Sequence, residues 1–273
     1  VISLGDGKFE AVEYQGGLPG AGATGKARLR IPGQRRGNSA RFIRGPLQID
    51  VANDHAVFFL KSFDGVIAKL NRVHRVSPTM DAKPPAGAVA LFDGRSTDFF
   101  KSARVTESGL LMEGTETRYA YGSFRLHLEF RLPFMPFARG QGRSNSGVYL
   151  QSRYEVQILD SFGLAGKNNE CGGLYRYIEP ATNMCLPPLS WQTYDIDLDA
   201  AAFDASGNKT RNARLTVLHN GVLVHDNLEV KRKTGAGKPE GSLALPTKLQ
   251  NHGNPVRFRN IWLLDRTPKP SAE

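Results

Sequence analysis

Between Arg143 and Asp160 the chain reads RSNSGVYLQSRYEVQILD, and its period-two alternation is the pattern of two short strands. Side chains of a strand point alternately to opposite faces. Over Tyr154–Asp160 that sets Tyr154, Val156 and Ile158 on one face and Glu155 and Gln157 on the other. Over Asn145–Gln151 it groups Ser146, Val148 and Leu150 against Asn145, Gly147, Tyr149 and Gln151. Two such strands side by side share one surface of amides, a phenol and a carboxylate. That surface is costly to bury dry and suited to a polyhydroxylated ligand. An ordinary solvated sheet face carries the same alternation, so pattern alone does not separate the two.

A second segment of this type decides for a site. LQNHGNPVRFRNIW at 249–262 has Val256, Phe258 and Ile261 as its apolar set, with Arg257 and Arg259 on the other face. Gln250 and His252 stand just before the turn Gly253-Asn254-Pro255. A lone histidine is commonly structural. One accompanied by Gln250 and two arginines points to chemistry.

At 273 residues, with 40% apolar and 23% charged content, the chain is long enough for a large core or two modest domains. The 29 Gly, 16 Pro and many short Val/Phe/Tyr/Leu runs indicate an all-β protein. No apolar stretch approaches the ~18 residues of a membrane-spanning helix. No leader is visible ahead of Val1, and the expectation is a trimmed product of export. The net charge of +10 raises nucleic acid as a partner. The basic residues are scattered, however, with short clusters at Arg35–Arg36 and Lys231–Lys233, and no RNP-type aromatic motif, zinc pattern or basic helix accompanies them. Nucleic acid is therefore not expected, and the charge is read as solubility or attraction to anionic surfaces. The two cysteines, Cys171 and Cys185, stand in a loop-like stretch and make a poor zinc site. A disulfide between them, worth on the order of 3 kcal/mol, fits an extracytoplasmic protein; two free buried thiols are the alternative.

The runs divide at SPTMDAKPPAG, whose prolines and glycine cannot join a regular ladder. The expected organisation is a small β-rich domain over 1–78 and a linker over 79–87. A second domain over 88–266 and a loose tail over 267–273 complete it. Strands are expected in the second domain over Gly109–Glu113, Ser123–Arg131, Ser146–Leu150, Tyr154–Leu159, Trp191–Leu198, Arg214–Leu218, Val222–Val224 and Val256–Leu264. His219-Asn220-Gly221-Val222 is a hairpin signal, because Asn-Gly tolerates the positive φ angles of a type I′ turn. About a dozen strands in such a domain suggest a two-sheet sandwich or jelly roll.

LFDG, NSGVYLQ, YEVQILD, CGGLY, WQTYDI, HNGV and LQNHGNPVRFRNI follow one another as they do in the 3-keto-disaccharide hydrolase family. The chain resembles that family over about residues 88–266. The segments GDGKFEAVEYQGGLPG and SPTMDAKPPAGAVALFDG resemble the small β domain that precedes the module in some bacterial members. The resemblance implies a concanavalin A-like jelly roll, export from the cytoplasm, and cleavage of glycosides already oxidised at C3. It implies a polar site on a concave sheet made of Asn145, Glu155, Gln157, Gln250, His252 and Arg259. It also implies a divalent metal in some relatives, with Glu155 and His252 as the candidate ligands; no organic cofactor is expected. Where the family commonly has Arg after NSG, this chain has Gln151, so that charge is missing or is supplied by Arg143 or Arg153.

A retaining glycosidase needs two carboxylates about 5–5.5 Å apart. The related glucanases place them as E-x-D-x-x-E, and the corresponding string here, Glu155-Val-Gln157-Ile-Leu-Asp160, has an amide in the middle. Asp160 is read as a strand-end cap for the following turn. A 3-keto sugar asks for other groups: a base for the acidified C2 proton, an oxyanion partner and a proton donor. Glu155 or His252 is the base, and Arg259 or a metal is the oxyanion partner. Asn145, Gln151, Gln157 and Gln250 orient hydroxyls, with Tyr149 or Tyr175 stacking on the ring. The rival reading is a non-catalytic carbohydrate-binding module, in which the same face only grips.

Overall fold

Over the first 71 positions, short alternating runs can bury only one face, and they form one antiparallel meander. Its strands are β1 (Ile2–Gly5), β2 (Lys8–Tyr14), β3 (Arg28–Arg36) and β4 (Ser39–Arg44), then β5 (Leu47–Val51), β6 (His55–Leu60) and β7 (Val66–Asn71), paired in sequence order. Ile31, Ala40, Phe42 and Ile49 meet on one face as a small core, packed round by Phe9, Ala11 and Phe58. Gly33 is required there. The Phe42 ring lies 2.3 Å from where a Cβ on residue 33 would stand.

The computed structural model describes residues 1–24, 28–63 and 65–267 and divides into two units, Val1–Arg75 with Met135–Ala138, and the rest. The expected tail beyond Thr267, PKPSAE, lies outside the described residues.

The second unit is a two-sheet β-sandwich, as expected. Its strands are β8 (Val89–Phe92), β9 (Phe100–Lys101), β10 (Leu111–Met112), β11 (Thr115–Thr117), β12 (Phe124–Arg131), β13 (Ser146–Leu150) and β14 (Tyr154–Ile158). They continue as β15 (Trp191–Asp199), β16 (Ala202–Phe203), β17 (Lys209–Arg211), β18 (Ala213–His219), β19 (Val222–Val230), β20 (Lys248–Leu249) and β21 (Arg257–Asp265). One sheet runs β10-β21-β12-β15-β18-β19, with β8 on β21; the other runs β14-β13-β20-β11-β9. Leu126, Leu128, Tyr194, Ile196 and Phe258 of the first meet Val148, Leu150, Val156, Ile158 and Leu249 of the second in one core. The turn at Asn220-Gly221 takes φ of 52° and 75° between paired His219 and Val222, the hairpin its sequence specifies.

On the larger sheet's other face His127, Glu129 and Thr193 are polar yet buried, and the segment read as a linker covers that part of it. Thr79 Oγ1 donates to Asp195 Oδ2 at 2.6 Å, and the Asp81 N–H donates to Glu129 Oε1 at 2.6 Å. Trp262 Nε1 and Asn260 Nδ2 both donate to the Ala82 carbonyl. Proline and glycine keep this segment out of the ladder, but its hydroxyls, N–H groups and carbonyls satisfy polar side chains of the sheet beneath. Burial opposes ionisation of Glu129, but bonds from His127, Asn260, the Asp81 N–H and Arg259 outweigh it and hold the carboxyl at about 2.

Candidate active site

The smaller sheet positions the site by register. Glu155 stands opposite Tyr149, Tyr149 opposite Lys248, Lys248 opposite Glu116 and Glu116 opposite Lys101, one residue from each of five strands. Directly opposed residues share a face, so these five form a row on the side away from the core. In the next row Gln157 opposes Gly147, whose carbonyl accepts from the Gln250 N–H at 2.9 Å. Gly147 leaves a gap that Glu155 fills: a Cβ there would stand 2.5 Å from Glu155 Oε1.

Two loops close over Glu155. The Tyr175 N–H donates to the Glu155 carbonyl at 2.9 Å, and the Glu155 N–H donates to Thr234 Oγ1 at 2.8 Å. Gly235 comes between Tyr175 and the carboxylate, where a Cβ would lie 2.9 Å from the Tyr175 ring and 3.8 Å from Glu155 Oε2. Glu155 is left 2% exposed, and Oε2 has no hydrogen-bond partner. Burial pushes its carboxyl up to about 7, against the Tyr149 hydroxyl bond and the Lys248 charge, which pull it down. Burial and Glu155 together push the Tyr149 phenol upward, so it remains a proton donor. The Lys248 ammonium lies 5.9 Å from the Tyr149 ring centre. Gln250 Nε2 donates to the Tyr149 hydroxyl at 3.4 Å, and its Oε1 is buried without a partner. One face thus offers two unsatisfied acceptors, Glu155 Oε2 and Gln250 Oε1, and a polyol supplies donors for both.

The structure brings Glu155, Tyr149, Tyr175 and Gln250 together. Asn145 and Gln157 join through Gln141: Asn145 Nδ2 donates to the Gln141 carbonyl at 2.7 Å, and Gln157 Nε2 donates to Gln141 Oε1 at 3.0 Å. Their amides brace the site. His252 is exposed in the loop beyond Gln250. Among the described residues no group of three or more His, Cys, Asp and Glu side chains is placed to hold a metal ion. No step below passes through a metal.

Four expectations are corrected. Arg259 is on the opposite sheet, where its Nε donates to Glu129 at 2.6 Å and its Cζ lies 4.3 Å from the Trp191 ring centre. It shares a strand type with the site residues, not a sheet. Gln151 falls past the end of β13 at a φ of 48°, with Nε2 donating to the Tyr121 and Gly122 carbonyls. Alternation stops where the turn begins. Neither candidate for the missing arginine replaces it: Arg143 Nε donates to Asp160 at 2.6 Å, and Arg153 binds Gln151 and the Pro239 and Leu243 carbonyls. Cys171 and Cys185 are free, buried thiols, not a disulfide; Cys171 contacts the Tyr194 hydroxyl at 3.2 Å. Asp160 accepts the Phe162 N–H at 3.3 Å, as a strand-end cap does.

Sequence reasoning missed Lys248, Gln141 and Thr234. Lys248 was legible, because Lys248-Leu249-Gln250 alternates like the strands beside it. Gln141 and Thr234 sit in a 3-10 turn and a loop, where no period marks them.

An all-β sandwich with a buried, unsatisfied carboxylate on a polyol-ready face defines a carbohydrate-active protein. The family profile of the 3-keto-alpha-glucoside-1,2-lyase-like domain matches residues 87–264, and the chain belongs to that family. Among solved structures it is similar to a Parabacteroides distasonis ATCC 8503 protein described as a "putative glycosyl hydrolase". That likeness has 29% identity and a TM-score of 0.60 and covers 66% of this chain and 84% of that one. A second protein so described from the same organism is 18% identical with a TM-score of 0.47, over 66% of this chain and 94% of that one. No curated protein matches. Among the described residues no helix is long and apolar enough to cross a membrane.

Proposed function

We propose that the chain cleaves 3-keto-glycosides by elimination across C1–C2 followed by hydration, with Glu155 as the base. The observation that carries this is the Glu155 carboxylate itself, buried, unpartnered at Oε2 and titrating at about 7. A neutral binding platform has no use for such a group. The C3 carbonyl acidifies the C2 proton. Glu155 takes that proton, and the C2–H electron pair moves into an enolate whose charge at O3 meets the Lys248 ammonium and the Tyr149 hydroxyl. Collapse of the enolate restores the carbonyl, forms the C1–C2 double bond and breaks the bond from C1 to the leaving oxygen. The Glu155 carboxyl returns its proton to that oxygen. Water then adds across the double bond, hydroxyl to C1 and proton to C2, so the sum is hydrolysis. Gln250 Oε1 receives a substrate hydroxyl, and Tyr175 packs on the ring. The same reading puts the protein outside the cytoplasm, where such glycosides would be met.

Product analysis on 3-keto-glucosides and their unoxidised parents tests this. Wild type turns over only the keto substrates, and Glu155→Gln loses at least a hundredfold. A chelator arm reports on the divalent ion implied for some relatives. Sugar binding that survives Glu155→Gln, with no turnover of either substrate, establishes the binding-module reading in its place.

A further inference from the structure

The first unit carries a basic face that the Glu155 site does not use. Lys8 on β2 pairs with Gln34 on β3, and Gln34 pairs with Arg41 on β4, so the three lie side by side. Alternation adds Pro32 and Arg36, two residues either side of Gln34, and Ile43, two beyond Arg41. Phe42 belongs to the opposite face, the one that packs the small core, and Phe9 packs against that core while its edge also reaches the cleft described next. The basic face holds a cleft of about 380 Å³, lined by Lys8, Pro32, Gln34, Arg36, Arg41 and Ile43 among others. That is the size of a small-molecule site. Arg41 is clamped to Asp50 by two bonds of 2.8 and 2.9 Å. Lys8 and Arg36 are exposed and, among the described residues, stand in no ion pair. The field around them has the same sign. Residues 1–75 hold twelve Lys and Arg against six Asp and Glu, a net +6 of the chain's +10.

We propose that this cleft binds an acidic polysaccharide, a polymer whose sugar rings carry carboxylates. Pro32 and Ile43 offer an apolar floor to the C–H face of a pyranose. Lys8 and Arg36 meet the carboxylate through charge-assisted bonds, and Gln34 meets a ring hydroxyl. A nucleic acid fits less well. Single strands are held by aromatic platforms on which successive bases stack. Phe9, the single aromatic residue among those lining the cleft, also packs against the small core and has Arg35 over its ring at 5.9 Å, so no second lining ring stands beside it for a following base. A uronate polymer also suits a chain whose other unit is carbohydrate-active.

The test uses the full chain in affinity electrophoresis through gels containing polygalacturonate, neutral dextran, or single-stranded DNA of equal charge. Wild type is retarded at least tenfold more strongly by polygalacturonate than by dextran or DNA, and the retardation weakens as salt rises. The double variant Lys8→Gln/Arg36→Gln loses at least tenfold with its Tm within a degree of wild type, and Lys8→Arg keeps the binding. Equal retardation of the folded double variant, stronger binding of DNA, or equal binding of dextran overturns the proposal. If the double variant does not fold, Lys8→Arg still decides, since loss of binding in a folded charge-preserving variant refutes it. Retardation does not depend on turnover, so a silent Glu155 leaves the result readable.

Discussion

Glu155 is destabilising to the fold in its charged form, the form the proposed base must take. A carboxyl raised from 4.5 to about 7 favours the protonated native state, so its stability is fully present below 4.5 and is lost as pH rises through 7. Glu155→Gln keeps the shape without the charge. The variant should melt about 5 °C above wild type at pH 8 and close to it at pH 5, by calorimetry at both. Activity runs the other way: kcat/KM should climb with pH through about 7, where the base becomes charged. Lys248 lowers the Glu155 pKa, so Lys248→Met should carry that ascending limb to higher pH. An unmoved limb in Lys248→Met removes the lysine from the site. That Glu155, Gln157 and Tyr149 share one face was legible because their strands alternate strictly, whereas Gln250, just past β20, was singled out only by its place before a turn. Arg259 alternates just as well in sequence, and alternation says which side of a strand a residue takes, never which of two sheets the strand joins.

At the scale of elements, period two located the strands closely where one face is apolar. β13 runs Ser146–Leu150 as expected, and β12 and β15 differ by one residue at an end. β19 was read as Val222–Val224 but runs to Val230. Its second half, His225-Asp226-Asn227, carries a bulge with Asn227 at a φ of 44°, which breaks the period. The segment 77–82 was opaque for another reason: it contributes no strand, and its hydroxyls, N–H groups and carbonyls hold side chains of the sheet with no ladder between them. Thr79→Val deletes the bond to Asp195 and should cost about 1–2 kcal/mol. Faster amide exchange confined to 77–82, with turnover intact, is the expected readout; unchanged exchange denies the segment its anchor.

For the molecule as a whole, acid stability depends on histidines the site does not use. Burial pulls His219 down to about 3 and His225 down as well, so both are neutral in the fold. The unfolded chain binds those protons first, and stability drains as pH falls below 6.5 toward 3. Glu129, held at about 2, adds its loss below 4.5. Glu155 and His127, both raised, gain stability over the same window and offset part of this loss, so the readout is the difference between variants. As pH falls from 7 to 4 the urea midpoint of His219→Asn should rise relative to wild type, and parallel slopes rule His219 out as a source of the loss. A consequence for selection follows from the unpartnered Glu155 oxygen. A mutant library sorted for heat resistance at pH 8, with no screen for turnover, would be enriched in neutral residues at position 155. The survivors would keep the sandwich and, with Glu155 as the proposed base, lose its chemistry, which sets robustness and catalysis under opposed pressures at one carboxylate.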